Sequence, residues 1–444
     1  MEGTLKAGVS ITDISPPPGI ELAGYPHHPR HNRGVHDPLY AGCLFLDDGD
    51  TRLAIVTMDL LMYSKAYVRE LREEAARRCR IPARNITICC SHTHSSPWTA
   101  SGPHMEALMG GQQPDQEYLS ALRSKLLELI AEASTKVFEA RLGIAKGYCG
   151  RERGVGGNRR EPQGVADPEV WTVGVQDNQG NWRACLLKYA LHPTFLHSDN
   201  FLVSADYPGY IRKHLQQSKP GMIFLFAQGT SGNQSPRYFR SGKTFAEAER
   251  VGTEIGKEAE RLLESMQLQR FLPLLVRWVE TDLELRELPN RREAEARVAE
   301  ARKAWEQIKS TAAPERDIWN AELRLLGAED TLAYIVHQEK SPRRQLRIDD
   351  LPVEIQVIGI GDTRIVALPG EIFVEFGLAI QFRSPFPMTF VIELANGCLP
   401  GYAATARAYV EGGYETGASL LTGRSGDQFV EAAVQLLYQT SQEE

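Results

Sequence analysis

Polar residues stand where several apolar runs of this sequence end. His92 and His94 follow ITICC, His192 follows ACLLKYAL, and Glu371 follows a Pro-Gly pair after TRIVAL. Histidine is the commonest metal ligand in proteins, and two histidines with one carboxylate form a catalytic zinc set that leaves a position for water. These residues predict a zinc-dependent hydrolase whose metal is held by His92, His192 and Glu371.

Each of these residues also has a structural interpretation. His92 and His94, two positions apart on an extended chain, point to the same side, but such pairs also occur at loop entrances without a metal. Glu371 can instead complement the macrodipole of the helix after it. Ser231 and Asn233 add polar groups in a turn-rich segment after the run MIFLFAQ. On the residues alone these alternatives stay open.

The strands and helices that must position these side chains can be predicted from the apolar pattern. Together they indicate an α/β fold with a mixed β-sheet core flanked by helices. In such folds ligands bind beyond strand ends, so the candidates are expected in one cleft. Apolar runs predict strands near 41–47, 52–58, 86–92, 170–177, 184–192 and 222–228, then two joined by a tight turn within 353–368, and a buried run at 389–396. Helical spacing predicts helices after Ser64, at 115–134, around Phe373–Ile380 and at 427–438.

Two further segments stand apart by composition. Residues 150–168 are rich in glycine, arginine and proline, which predicts a long loop of the kind that often serves function. Residues 287–340 are charged and helical in pattern, which predicts a helical hairpin insertion that projects from the core. A solvated lid or spacer is favoured over a partner-binding helix. We hypothesise that this hairpin shapes access to the cleft.

Composition narrows the class of protein. The 444 residues, of which 42% are hydrophobic, suffice for one large domain or two ordinary ones, and because no segment has the composition of a linker we expect a single domain over 1–444. The formal net charge of −7 predicts no nucleic-acid partner. The amino-terminal residues do not resemble a signal peptide and no apolar run is long enough to span a bilayer, so we expect a cytoplasmic protein without stable membrane association. The seven cysteines are expected to be reduced core residues.

Motifs in the same order along most of the chain resemble the N-terminal catalytic domain of the neutral/alkaline, non-lysosomal ceramidases, a family of zinc-dependent amidases. The motifs that carry this resemblance are AGVSITDISPP, the Gly-Tyr at 24–25, GVH at 34–36, NITICCSHTHSSP, NRR at 158–160, HPT at 192–194, SADYPGY at 204–210, FAQGTSGNQSP at 226–236, LPGE at 368–371 and GYAATARAYVEGGYETGAS.

The resemblance implies roles residue by residue. It makes His92, His192 and Glu371 zinc ligands, and it adds Tyr402 as an unusual phenolic ligand that composition alone does not single out. His94 matches a second active-site histidine, Arg159 matches an arginine that lines the site, and Ser231 matches a serine implicated in catalysis. A further tyrosine near the reacting carbonyl corresponds to Tyr409 or Tyr414, and spacing does not decide between them.

The sequence also departs from that family. Ceramidases proper are secreted or membrane-facing and carry an immunoglobulin-like domain after the catalytic one, whereas this chain ends soon after the last motif. We therefore expect cleavage of an amide (N-acyl) bond in a small soluble substrate, with His94 as the first choice for general acid. A metal-dependent esterase, lactonase or phosphoesterase, or a non-catalytic metal-containing binding protein, is the alternative. The metal's identity and homo-oligomer formation stay open.

Overall fold

The computed structural model describes residues 4–101, 103–109, 112–340 and 351–442. The strands in these ranges are β1 (Lys6–Asp13), β2 (Tyr40–Asp47), β3 (Arg52–Met58), β4 (Ile86–Cys90), β5 (Phe138–Tyr148), β6 (Gly157–Asn158), β7 (Glu169–Asp177), β8 (Trp182–Tyr189), β9 (Ile223–Gln228), β10 (Gln234–Ser235), β11 (Leu274–Thr281), β12 (Val353–Ile360), β13 (Thr363–Ala367), β14 (Glu371–Ile372), β15 (Met388–Ile392) and β16 (Tyr402–Ala403).

The helices in the same ranges are α1 (Lys65–Cys79), α2 (Pro103–Leu108), α3 (Gln116–Thr135), α4 (Tyr207–Ser218), α5 (Phe245–Glu264), α6 (Arg291–Lys309), α7 (Glu315–Lys340), α8 (Val374–Arg383), α9 (Ala406–Glu411), α10 (Tyr414–Gly417) and α11 (Ser425–Ser441). Among the described residues, none of these helices is long and apolar enough to cross a membrane.

Two sheets form the centre of the fold. The larger has the order β4-β3-β2-β1-β5-β7-β8-β9, and the smaller has the order β11-β12-β13-β15. Both sheets are mixed, because β3 pairs with β4, β8 with β9 and β13 with β15 in parallel while the remaining neighbours are antiparallel. The α/β fold class predicted from the sequence is confirmed.

Side chains alternate between the two faces of each strand, so both faces of each sheet can be covered. The fold therefore has four layers, in the order helices, larger sheet, smaller sheet and helices. On β2, Cys43 and Phe45 pack under α1 and α3, whereas Leu44 and Leu46 face the smaller sheet. Helices α4 and α5 cover the outer face of β7 to β9. Strand β12 is buried along its whole length because helices α8 and α11 pack on its other face. The two sheets therefore lie face to face between layers of helix.

Residues 392–396 join the two sheets. The Glu393 amide donates to the Gln228 carbonyl at 2.8 Å, at the end of β9. The Asn396 amide donates to the Ile88 carbonyl of β4 at 2.7 Å, and the Leu394 amide donates to the Gly370 carbonyl at 3.1 Å. One short segment of the smaller sheet thus holds both edge strands of the larger sheet beside the turn before Glu371.

Most predicted elements have the expected positions, and the differences are informative. Strands β4 and β8 stop at Cys90 and Tyr189, so His92 and His192 lie two and three residues beyond the strands that were predicted to end on them. The 287–340 hairpin is present as α6 and α7. The prediction that the hairpin projects into solvent is correct only for α6, in which Ala294 is the one buried residue. It is wrong for α7, which buries a stripe of residues that includes Tyr334 and Ile335. Six of the seven cysteines are buried, as expected of core residues.

Candidate metal centre

His92 and His192 reach the same point from two segments of the larger sheet. The Nδ1 of His92 lies 2.9 Å from the Leu61 carbonyl, and the Nδ1 of His192 lies 2.7 Å from the Ser231 carbonyl. A carbonyl only accepts, so each Nδ1 carries the proton and each Nε2 keeps a lone pair. Metal-binding histidines are commonly oriented by a bond of this kind. Both side chains are buried.

Glu371 completes the group from β14, the short strand that follows β13 of the smaller sheet. Its Oε2 lies 3.1 Å from the Nε2 of His192 and 3.4 Å from the Nε2 of His92. Gly370 precedes it with φ +72°, and a Cβ there would lie 2.3 Å from the Leu399 side chain, so this turn requires glycine. Burial alone raises the pKa of Glu371, but the contacts with His92 and His192 outweigh it and hold the pKa well below its usual range.

These three side chains fit a divalent metal ion. Ligands about 2.1 Å from one tetrahedral zinc ion lie about 3.4 Å from each other, close to the spacings observed here. The Nε2 of His92 is buried and makes no hydrogen bond, which is costly unless a further partner binds it. His92 also has φ 70°, a conformation that costs a non-glycine residue roughly 1–3 kcal/mol and is concentrated at functional sites.

His94 joins the same cluster. Nitrogens of His92, His94 and His192 lie within 4.8 Å of one another, so these three histidines could also hold an ion. Both ring nitrogens of His94 are buried without a hydrogen-bond partner. Burial and the neighbouring His92 and His192 lower its pKa well below the ordinary value. Gly24, with φ +96°, leaves room for this ring, since a Cβ there would lie 2.5 Å from it.

Tyr402 and Arg159 lie against the carboxylate. Tyr402 pairs with Glu371 in the register of β14 and β16, and burial together with the charge of that carboxylate raises the pKa of its phenol well above the ordinary value. The Arg159 guanidinium lies 5.5 Å from the centre of the Tyr402 ring, and its Nε donates to Glu415 at 2.8 Å. One nitrogen of Arg159, Nη2, is buried without a partner. Arg159 therefore has a hydrogen-bond donor to spare beside the centre.

The structure separates the two candidate tyrosines. Tyr414 lines the same cavity as Glu371, with its ring centre 6.1 Å from that of Tyr402. The Tyr409 hydroxyl instead donates to the Leu421 carbonyl, away from the cavity lining. Tyr414 is thus placed to meet a ligand.

Ser231 does not reach the cavity. It is fully buried, accepts from the Gln228 amide at 2.6 Å and donates to Glu393 Oε1 at 2.6 Å. Its hydroxyl lies 3.3 Å from the Nδ1 of His192. The serine predicted as catalytic therefore stands behind a candidate ligand, where it orients the imidazole. Asn233 likewise turns away from the centre and bonds to Glu375 at 2.8 Å.

Glu393 is a site residue that the sequence did not indicate. Its Oε1 accepts from Ser231, and its Oε2 accepts from the Ile372 amide at 2.7 Å. It therefore ties the His192 side to the strand that carries Glu371. Its only signal in the sequence was a lone acidic residue in the apolar run TFVIELAN, where an unpaired carboxylate is unfavourable.

His92, Glu371 and Tyr402 line a cavity of about 360 Å³, and His192 lies against Glu371 just outside this lining. One wall is apolar and includes Leu61, Trp98 and Met105. Helix α7 contributes the roof through Trp319, Leu323 and Leu326. A partly enclosed, mainly apolar cavity with a few convergent polar groups is typical of a small-molecule site.

The fold and the site together define a four-layer α/β protein with a candidate metal centre at the floor of an amphipathic cavity. Residues 5–244 match the family described as neutral/alkaline non-lysosomal ceramidase, N-terminal. This match covers more than half of the chain, and the chain belongs to that family.

Relatives and solved structures agree with this assignment. The neutral ceramidase of Pseudomonas aeruginosa is 25% identical over 236 residues, which cover 49% of this chain and 34% of that protein. The neutral ceramidase of Drosophila melanogaster is 25% identical over 262 residues, covering 53% and 36%. The chain thus matches about a third of the length of these curated relatives.

The fold is shared with solved structures over the whole chain. The crystal structure of neutral ceramidase from Pseudomonas aeruginosa superposes with a TM-score of 0.76 at 19% identity, over 100% of this chain and 75% of that one. A structure described as ceramidase complexed with C2 gives 0.75 at 16% identity, over 99% and 76%.

Proposed function

We propose that this protein is a zinc-dependent hydrolase that cleaves the amide (N-acyl) bond of a soluble substrate with metal-activated water. The observation that carries the proposal is the convergence of His92, His192 and Glu371 at the floor of one cavity. Family membership supports it, because the curated relatives are neutral ceramidases.

In this proposal His92, His192 and Glu371 hold the ion, and Tyr402 is a further, phenolic ligand. The ion, when bound, supplies Lewis acidity that lowers the pKa of water from about 15.7 toward about 7. The Leu61 and Ser231 carbonyls fix both imidazoles, so little reorganisation is needed at the moment of reaction.

The remaining site residues act on the substrate. The spare Nη2 of Arg159 and the Tyr414 hydroxyl are placed to donate to the amide carbonyl as its oxygen gains charge. His94, with both ring nitrogens free of hydrogen bonds, takes a proton from water and returns it to the leaving nitrogen. The apolar wall excludes water from the acyl group.

The test combines metal analysis with a substrate panel. Purified protein is assayed against N-acyl amides and their matched esters, with metal content measured on the same sample. We expect about one zinc per chain and amide hydrolysis. Replacement His192→Ala should abolish both, whereas His214→Ala, which removes a partly buried histidine outside the cavity lining that pairs with Glu260, should change neither.

The outcomes discriminate between the alternatives. Full zinc occupancy in His192→Ala would remove this residue from the ligand set. Zinc-loaded protein that cleaves only esters would replace the amidase by an esterase, and one that cleaves nothing would indicate a binding protein. His94→Ala should keep its zinc and lose kcat; loss of zinc instead would make His94 a ligand.

A further inference from the structure

Three cationic side chains line one wall of the cavity, and none of them forms an ion pair with a described residue. Arg237, Arg240 and Lys243 all face it. Among the described residues, no carboxylate oxygen lies within the 4.0 Å of an ion pair from any of them. Glu21 and Glu322 also line the cavity, but neither reaches a cation at that distance. Unpaired charge at a mainly apolar cavity is unfavourable unless a ligand supplies its partner.

These cations are held in place rather than loosely exposed. The Arg240 guanidinium donates to the Thr194 carbonyl, and the Arg240 amide donates to the Pro236 carbonyl at 2.9 Å, which closes a turn. The Lys243 Nζ lies 4.8 Å from the centre of the Trp319 ring on the roof helix. Burial, as the largest influence, lowers the pKa of both arginines. The wall is thus organised before any ligand binds.

The cationic wall adjoins the candidate metal centre. The Tyr25 ring contacts His94 on one side, with ring centres 5.1 Å apart, and His197 on the other, at 4.7 Å. Burial lowers the pKa of His197 to about 3, and the charges of Lys243, Arg240 and Arg237 add to this effect. The three cations therefore lie near a residue that is separated from His94 by one tyrosine.

An apolar surface lines another part of the same cavity. The residues that line it are Leu61 and Trp98, which belong to one buried apolar cluster, and Met62, Met105 and Met109, which pack against that cluster. The cavity therefore suits a ligand with one apolar part and one charged part. A wholly neutral substrate leaves the two arginines and the lysine without an anionic partner.

We propose that Arg237, Arg240 and Lys243 form a subsite for an anionic group, so that the substrate is an N-acyl compound that carries a carboxylate or a similar oxyanion. The N-acyl part of this inference rests on the proposed amide hydrolysis. The anionic group is inferred from the cationic wall. Arginine and lysine together suit an oxyanion, because guanidinium donors bind it in two places and the ammonium adds a point charge.

The experiment uses matched substrate pairs. Dodecanoyl amides of glycine, 4-aminobutanoate and 6-aminohexanoate are each compared with the corresponding neutral carboxamide, so that three spacer lengths are sampled. We expect kcat/KM for the acid to exceed that for the carboxamide by about 10- to 100-fold at one spacer length, since charge-assisted hydrogen bonds are stronger than neutral ones.

Variants assign that preference to the wall. Arg240→Gln and Lys243→Gln should each lower the acid-to-carboxamide ratio by about 10-fold. Lys257→Gln, a surface lysine paired with Glu254, is the matched control and should keep the wild-type ratio. Thermal unfolding identifies any variant that fails to fold, and the second variant then carries the test.

Calorimetric titration of the metal-loaded wild type with the same pairs separates the two proposals. Absence of all hydrolysis with tighter binding of the acids would sink the amidase proposal and keep the anion subsite. Hydrolysis with no preference for acids at any spacer length, or a ratio unchanged in both variants, would overturn the subsite.

Discussion

At the scale of single residues, His92 and His192 are oriented in the same way. Each donates its Nδ1 proton to a backbone carbonyl and turns its Nε2 toward Glu371. The backbone, rather than the side chains alone, thus sets which nitrogen is available to a metal. Substitutions behind the imidazoles are therefore expected to act through orientation.

Ser231→Ala separates orientation from nucleophilic catalysis. Ser231 lies behind His192, so its loss should lower kcat or zinc affinity by about 10- to 100-fold, as is typical of residues that support a ligand. Removal of a true nucleophile costs about 10⁶-fold in kcat. Steady-state kinetics with metal analysis decides, and a loss near the larger value would contradict the orienting role and indicate a nucleophile.

Glu393→Gln tests the residue that joins the two ligand segments. The change keeps the size of the side chain but removes one of the two acceptors that hold Ser231 and the Ile372 amide. We expect zinc affinity to fall about 10- to 100-fold with little change in KM. Competition with a zinc chelator measures the affinity, and an unaltered value with an unaltered kcat would contradict the positioning role.

At the scale of elements, α7 differs from its partner α6. The Tyr334 hydroxyl donates to the Ala418 carbonyl at 2.9 Å, and Asp330 lies 2.8 Å from His27 of the loop that forms the opposite rim. These contacts anchor α7 across the cavity, while α6 packs on its outer side. The insertion therefore contributes to the binding surface.

Leu323→Ala combined with Leu326→Ala tests this role of α7. Both side chains line the cavity, and their loss should raise KM for dodecanoyl substrates by about 10-fold because apolar contact with the acyl chain is lost. KM for acetyl substrates should change little. Arg316→Ala on the same helix, exposed and outside the lining, is the control. An unchanged chain-length profile would show that α7 does not shape substrate preference.

The loop that carries Thr194 and His197 is anchored by a buried acid. Asp206 accepts from the Leu196 amide at 3.0 Å and from the Tyr207 amide at 2.7 Å, at the start of α4. Burial, with the charge of Asp37 adding to it, raises the pKa of Asp206 to about 7. The folded protein thus retains a proton that the unfolded chain releases near pH 4.

Because the pKa of Asp206 is raised on folding, the free energy of unfolding should fall as the pH rises. The stability that Asp206 contributes is fully present below about pH 4 and is lost as the pH rises through about 7. Asp206→Asn does not titrate, so between pH 5 and 8 the wild type should lose about 2 kcal/mol relative to it. Denaturant unfolding at both pH values measures this, with Asp317→Asn on the exposed side of α7 as the control. If the free energy of unfolding changes equally with pH in the wild type and in Asp206→Asn, Asp206 does not titrate in this range.

At the scale of the whole molecule, the candidate centre lies at the junction of the two sheets. His92 and His192 follow strands β4 and β8 of the larger sheet, and Glu371 follows strand β13 of the smaller sheet, while residues 392–396 join both sheets. An ion bound there stabilises only the folded arrangement, because the three segments are remote in the unfolded chain.

Removal of the metal should therefore destabilise the entire fold. Ligand at 100 times its Kd stabilises a protein by about 2.7 kcal/mol, so chelation should lower Tm by several degrees and added zinc should restore it. Glu371→Ala should show no such response, whereas His214→Ala should respond like the wild type. Calorimetric scans with and without chelator provide the measurement, and an equal Tm in both would show that the ion does not join the sheets.

Local patterns in the sequence determined much of this protein. Alternating and helical periodicities predicted most central strands and helices, since each depends on residues close in the chain. The candidate ligands were recognisable because a histidine or glutamate after a buried strand is poorly explained by packing. Motif order then indicated the family, which the comparisons confirm.

Tertiary structure alone decided how these pieces meet. Tyr402 lies beside Glu371 only through the pairing of β14 with β16, and Tyr414 rather than Tyr409 faces the cavity only because of how their helices pack. Ser231 turns behind His192, and the cations of residues 237–243 enter the cavity below α7. Such contacts join residues far apart in sequence, where neither local periodicity nor turn chemistry specifies which side chains become neighbours.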